Sequence, residues 1–176
     1  MQNLPGSTPE RDRESFARVW ADSDFRPDEI KIYPMVITPH TQIESSWRAG
    51  EWIPYDDETL IDLMADLQLM VPHYVRLNRL YRDIPSHEII AGSTLANLRQ
   101  LTEERIEKQG KKLIDIAHRE VRLSSLHIDR LEIRETRYEA SGGTEYFLEW
   151  IDSLTHEVYS LLRLRIPARV TLPELE

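Results

Sequence analysis

Residues 56–85 read DDETLIDLMADLQLMVPHYVRLNRLYRDIP, and this stretch decides the fold class. Its acidic opening, Asp56-Asp57-Glu58, suits the positive end of a helix dipole, and Leu60, Leu63, Met64, Leu67 and Val71 then fall on one helical face. Pro72 stops that helix, because it has no amide hydrogen to donate and its ring clashes with the preceding turn. The run Tyr74 to Arg82 that follows reads as a strand. Period-two geometry places Arg76 and Arg82 on one of its faces and Arg79 on the other.

The same alternation extends in both directions. Upstream, Thr8 before Pro9 is a hydroxyl cap ahead of proline at the first helical position, and Phe16, Val19 and Trp20 recur at helical spacing. After the turn-like residues 24–28, the run 30–37 is rich in β-branched and aromatic side chains and predicts a strand interrupted by Pro34. A short helix is predicted over 41–48, ended by Gly50, with Trp47 and Trp52 as packing anchors. Downstream, a helix from about Asn97 to Gln109 is closed by Gly110, so an α/β arrangement is expected over this half.

From Leu113 onward the pattern turns to strands. Residues 144–150 and 158–165 predict an antiparallel pair, with Ser141-Gly142-Gly143 as a turn before the first and a connection at 151–157 longer than a tight hairpin needs. A domain boundary is expected near 110–122.

Composition limits the functional classes. The chain has 176 residues, 40% hydrophobic and 30% charged, enough apolar surface for a folded core. No stretch approaches the roughly 18 apolar residues of a membrane span, and the N-terminus lacks a signal-peptide pattern, so no membrane partner and a cytoplasmic location are expected. There is no cysteine, which excludes disulfides, thiolate zinc sites and an iron–sulfur cluster ligated by this chain alone. The net charge of −9 opposes nucleic-acid binding on average, yet residues 76–122 carry 10 basic and 7 acidic groups, a local reversal of sign. Arg76, Arg79, Arg82, Arg99, Arg105, Lys108, Lys111 and Lys112 make up most of that basic segment, with Tyr74 and Tyr81 interleaved. Glu103, Glu104 and Glu107 stand at spacings that form local ion pairs with the helical cations. No glycine-rich phosphate loop, nucleophile elbow or metal-ligand spacing is present, and His40, His73, His87, His118, His127 and His156 are scattered.

Several segments, read in order, resemble the Elongator catalytic subunit family: NLPGSTPERD at 3–12, DFRPDEIKIYPMVI at 24–37, VPHYVRLNRLYRDIP at 71–85 and NLRQLTEERIEKQG at 97–110. The resemblance continues through REVR at 119–122, RYEASGGTEYFLEW at 137–150 and LLRLRIP at 161–167. It implies the C-terminal part of a radical S-adenosylmethionine α/β barrel over 1–112, a linker over 113–122, and the first, mainly antiparallel strands of an N-acetyltransferase (GNAT) domain over 123–176. Leu113 stands where the family often has cysteine, whereas Asp115, Arg119 and Glu120 fit its pattern.

The activity so implied is 5-carboxymethylation of the wobble uridine of tRNA, using S-adenosylmethionine, a four-iron four-sulfur cluster and acetyl-CoA. The cluster cysteines and the acetyl-CoA loop of such enzymes lie outside the matched segments. The chain is therefore expected to be an internal fragment from a split gene, a truncated gene or a cloned piece, binding no cofactor alone. Its partners would be tRNA, the missing portions of the same enzyme, and other copies of itself through exposed strand edges. Lys31, Arg76, Arg79 and Arg82 are the residues expected to line the barrel mouth near tRNA, with structural ion pairs to Asp28 or Asp83 as the alternative. A non-catalytic remnant that binds tRNA or a partner protein is the rival reading. An independent acyltransferase would need an acetyl-CoA loop.

Overall fold

The computed structural model describes residues 1–81, 84–122 and 127–169. Among them the order is α1 (Pro9–Ala21), β1 (Glu29–Lys31), α2 (Gln42–Arg48), α3 (Asp57–Leu69), β2 (Arg76–Arg79), α4 (Leu98–Lys108), α5 (Ile116–Arg119), β3 (Leu131–Ala140), β4 (Gly143–Asp152) and β5 (Val158–Pro167). β1 and β2 form a two-stranded sheet, and β3, β4 and β5 form an antiparallel sheet in sequence order, so the chain is mixed α/β. It divides into two compact units: residues 1–18, 30–71 and 77–113 make one, and residues 19–29, 72–76 and those from 114 onward make the other.

In the first unit the helix signals act as expected. Thr8 Oγ1 accepts from the Arg11 amide at 3.3 Å, and Asp56 Oδ1 accepts from the Thr59 amide at 2.8 Å, satisfying amides that have no partner within their helices. Leu60, Leu63, Met64, Leu67 and Val71 are all buried. The buried arc of α3 is wider than the predicted stripe and includes Ile61, Ala65 and Gln68. On α4, Leu98, Thr102 and Ile106 form the buried face, and Gln68 Nε2 donates to Thr102 Oγ1 at 2.8 Å. At the end of α4 Gly110 adopts φ +67°, where the Gly110 amide bonds Glu107 O and the Lys111 amide bonds Ile106 O. That double bond closes the helix, and a Cβ at Gly110 would strain it.

The N-terminal loop is held by a buried carboxylate. Asp12 accepts from the Asn3 amide at 2.8 Å, from Ser7 Oγ at 2.6 Å and from the Tyr55 hydroxyl at 3.1 Å. Burial pushes the Tyr55 hydroxyl up to about 12.

The strand expected over 30–37 is shorter than its composition suggests. Regular pairing stops at Lys31, and beyond it Pro34 and Ile37 make only isolated bridges, to Gln2 and Ala91. Pro34 cannot donate to a ladder, which is why the strand breaks there. The strand expected over Tyr74 to Arg82 is likewise regular only at Arg76–Arg79, and Arg82 lies outside the described residues.

In the second unit β3 and β4 are joined by a two-residue loop, Ser141 and Gly142, with φ +47° and +71°. Positive φ at both central positions is the hairpin geometry that matches strand twist. The expected pair 144–150 and 158–165 is present as β4 and β5, whereas β3 is a strand the sequence reading did not anticipate. Asp152 Oδ1 accepts from the Leu154 and Thr155 amides at 2.8 and 3.0 Å and shapes the longer β4–β5 connection. Ile116, Tyr138, Ala140 and Phe147 form a core cluster, with Tyr74 packed against it.

Candidate nucleic-acid interface

The two-stranded sheet places two of the expected cations side by side. The Ile32 amide donates to Arg79 O at 2.8 Å, so Lys31 at the end of β1 and Arg79 at the end of β2 occupy adjacent strand ends, and both are exposed. Strand ends that carry charge are natural contact points in α/β folds.

Arg76 is differently placed. Its Nη1 donates to Glu120 Oε2 at 2.9 Å and its Nη2 pairs with Glu120 Oε1, a bidentate fork. Hydrogen bonding to Arg76 holds the Glu120 carboxyl below its ordinary range, with burial opposing. The guanidinium is thus committed to a carboxylate of this chain. The acid is not the one expected: Asp28 pairs instead with Arg163, at 2.8 Å. Arg82 and Asp83 lie outside the described residues. In the basic segment Arg99 pairs with Glu103 at 2.8 Å within α4, as its spacing predicts, and Arg105 reaches Glu58 and Asp62 on α3.

The densest charge cluster was missed from sequence. The Glu149 side chain is completely buried, and it accepts from Arg119 Nη2 at 2.5 Å and from Arg134 Nε and Nη2 at 2.9 and 2.6 Å. Arg119 also donates to Ile114 O at 2.7 Å and His73 O at 2.8 Å. The signal that could have found it is parity. On β4, Glu145, Phe147, Glu149 and Ile151 all point to the buried face, so two carboxylates sit among apolar neighbours and demand arginine partners. Register supplies them directly, with Arg134 opposite Glu149 and Arg165 opposite Glu145.

Around this network the remaining polar groups are also paired. His73 Nε2 lies 2.8 Å from Thr136 Oγ1, and burial lowers its pKa, with Arg134 and Arg119 adding to the effect. Arg163 donates to the Tyr138 hydroxyl at 2.5 Å and to Tyr74 O at 2.6 Å, while burial pushes Tyr138 up to about 12. A carboxylate saturated by two guanidinium groups anchors a sheet.

The donor chemistry also decides what the chain can hold. Cysteine is absent from the sequence, so these residues do not fit a thiolate-ligated iron–sulfur cluster. Among the described residues no group of three or more histidine and carboxylate side chains could hold a metal ion, and no helix is long and apolar enough to cross a membrane.

Residues 27–108, which carry β1, β2 and α2 to α4, match the Radical_SAM C-terminal domain family. Across its whole length it is 34% identical to the tRNA uridine(34) acetyltransferase of Methanocaldococcus jannaschii, covering 34% of that protein. Identity to the tRNA uridine(34) acetyltransferase of Dehalococcoides mccartyi is 38%, over 99% of this chain and 38% of the relative. Elongator complex protein 3 of Saccharomyces cerevisiae is 35% identical over 94% of this chain and 30% of its own length. The solved structure of archaeal Methanocaldococcus infernus Elp3 with an N-terminal deletion matches with a TM-score of 0.94 at 33% identity, over 100% of this chain and 43% of that one. The chain is thus similar along its length to Elongator complex protein 3 and tRNA uridine(34) acetyltransferases, and it spans about a third of the length of the curated relatives it matches.

Proposed function

We propose that the chain is the middle portion of a tRNA wobble-uridine 5-carboxymethylating enzyme and is inactive alone. Residues 1–112 would form the C-terminal part of the radical barrel, 113–122 the linker, and 123–176 the first strands of the acetyltransferase domain. The observation that carries this reading is the full-length match to tRNA uridine(34) acetyltransferases at 34–38% identity. In the complete enzyme S-adenosylmethionine, a four-iron four-sulfur cluster and acetyl-CoA would supply the radical and the acyl group. No step through them is assigned to these residues. Lys31 and Arg79, adjacent and exposed, are the candidates for contact with tRNA at the barrel mouth, with Arg82; Arg76 would position Glu120 through their fork.

The exposed apolar side of the three-stranded sheet supports association with the remaining portions of the enzyme. Ile133, Trp150, Leu162, Leu164 and Ile166 lie on that side and are all exposed. Without those portions, β5 offers an edge for pairing with another copy.

The test is reconstitution. The chain is co-expressed with the flanking portions of the Methanocaldococcus jannaschii relative, and 5-carboxymethyluridine in tRNA is measured by mass spectrometry. Modified uridine is expected only with all portions present; turnover by the 176 residues alone would overturn the proposal. The cysteine-free sequence favours one second reading, a non-catalytic remnant that still binds tRNA or a partner protein. Reconstitution that fails while tRNA is retained would select it.

A further inference from the structure

We propose that Lys108, Lys111 and Lys112 form an RNA-backbone contact at the C-terminal end of α4, separate from Lys31 and Arg79; this rests on the tRNA reading above. The first observation is distribution. Of the chain's 22 basic residues only Lys31, Lys108, Lys111 and Lys112 are lysines, and three of these four fall within five positions. All three are exposed.

The second observation is a division of labour between the two cations. Every ion pair with a carboxylate among the described residues is made by an arginine or, between His118 and Asp115, a histidine; the arginine pairs include Arg13 with Asp66, Arg48 with Glu44, Arg76 with Glu120, Arg99 with Glu103, Arg105 with Glu58 and Asp62, and Arg119 and Arg134 with Glu149. None of the four lysines has a carboxylate partner among those residues. Helix-dipole stabilisation accounts for Lys108 in the last turn, but it falls off beyond that turn. Lys111 and Lys112 lie past Gly110, whose left-handed conformation has already ended the helix, so helix stability does not account for them.

The chemistry favours phosphate. Both cations bind phosphate, arginine through its planar fork and lysine as a hydrated point charge with no required geometry; here paired arginines are taken up by carboxylates, and the three lysine ammonium groups are the cations left to meet the repeated phosphates of a nucleic-acid strand. Residues 97–113 contain no aromatic side chain on which a base could stack. The contact would therefore position RNA without reading its sequence.

The test is amine footprinting of the full 176-residue chain with an acetylating reagent, read by mass spectrometry, with and without unmodified tRNA over a salt series. Protection of Lys108, Lys111 and Lys112 at low salt, lost as salt rises, is expected. The variant K108Q/K111Q/K112Q should melt at the wild-type temperature, bind tRNA more weakly, and show a log–log salt slope shallower by about 1 per lysine. Bound tRNA that protects only Lys31 would overturn this site and leave the tRNA reading standing. Absence of tRNA binding at every salt concentration would overturn both, and protection by poly-glutamate but not by tRNA would assign the site to an acidic protein instead.

Discussion

The two units handle charge in opposite ways. In the first, the carboxylates that meet arginine across α3 and α4 are on the surface, with the Glu58 side chain 78% and Asp62 50% exposed, and the α3–α4 contact is buried through Gln68 and Thr102. In the second, the Glu149 side chain is 0% exposed and Arg119 is 9% exposed, so a buried ion network stands in the same unit as the Ile116, Tyr138, Ala140 and Phe147 cluster. Water screens the first kind of pair and is kept from the Glu149 carboxylate of the second, although the Arg134 side chain is 34% exposed. Removing a partner should therefore be nearly neutral in one unit and severe in the other.

The sharpest way to break that contrast is Arg119→Met, which leaves Glu149 buried with one guanidinium fewer and the bonds of Arg119 to Ile114 O, His73 O and His156 O unmade. A loss of about 3–5 kcal/mol is expected from urea unfolding. A loss below about 1 kcal/mol would remove the distinction between the units. Replacing Arg119, Glu149 and Arg134 together by apolar residues of similar volume should recover most of the loss, because the desolvation of all three charges disappears with them.

The first unit should instead be sensitive to volume. Leu63→Ala at a fully buried position of α3 is expected to cost about 2–5 kcal/mol by the same measurement. Acid supplies a further comparison. The pKa of His73 is lowered from its ordinary value of 6.5, so the unfolded chain binds the proton more readily than the folded one. Stability is therefore present above pH 6.5 and is lost as pH falls through the lower folded value, and His73→Gln should flatten that slope in a pH series of melting temperatures. The smallest effect is expected for Arg105→Ala. Its melting temperature should shift less than those of Arg119→Met, Leu63→Ala and His73→Gln, and the shift should vanish at high salt.

Helices and their ends were legible in the sequence because their determinants are local. Thr8 and Gly110 cap what their spacing says they cap, the acidic residues at 56–58 open α3 as read, with Asp56 also its side-chain cap, and the α3 stripe is the core stripe. Strand extent was less legible. Pro34 cut the first strand sooner than its β-branched composition suggested. β3 was overlooked because LEIRETRYEA carries arginine and glutamate through its length, and Arg134 on its inward face looks no different from Arg137 on its outward face until β4 is laid beside it. Of the candidate interface, Lys31 and Arg79 were expected from the family resemblance, while the commitment of Arg76 to Glu120, 44 positions away, was invisible.

By itself, the sequence determined the family resemblance, the mixed α/β class, the helix boundaries and the absence of thiolate ligands, all of which depend on residue identity or on spacing of a few positions. Only the tertiary structure decided which cations are engaged by carboxylates and which face solvent alone. Ion pairing depends on atoms within about 4 Å across distant parts of the chain, where a guanidinium and a carboxylate either meet or do not.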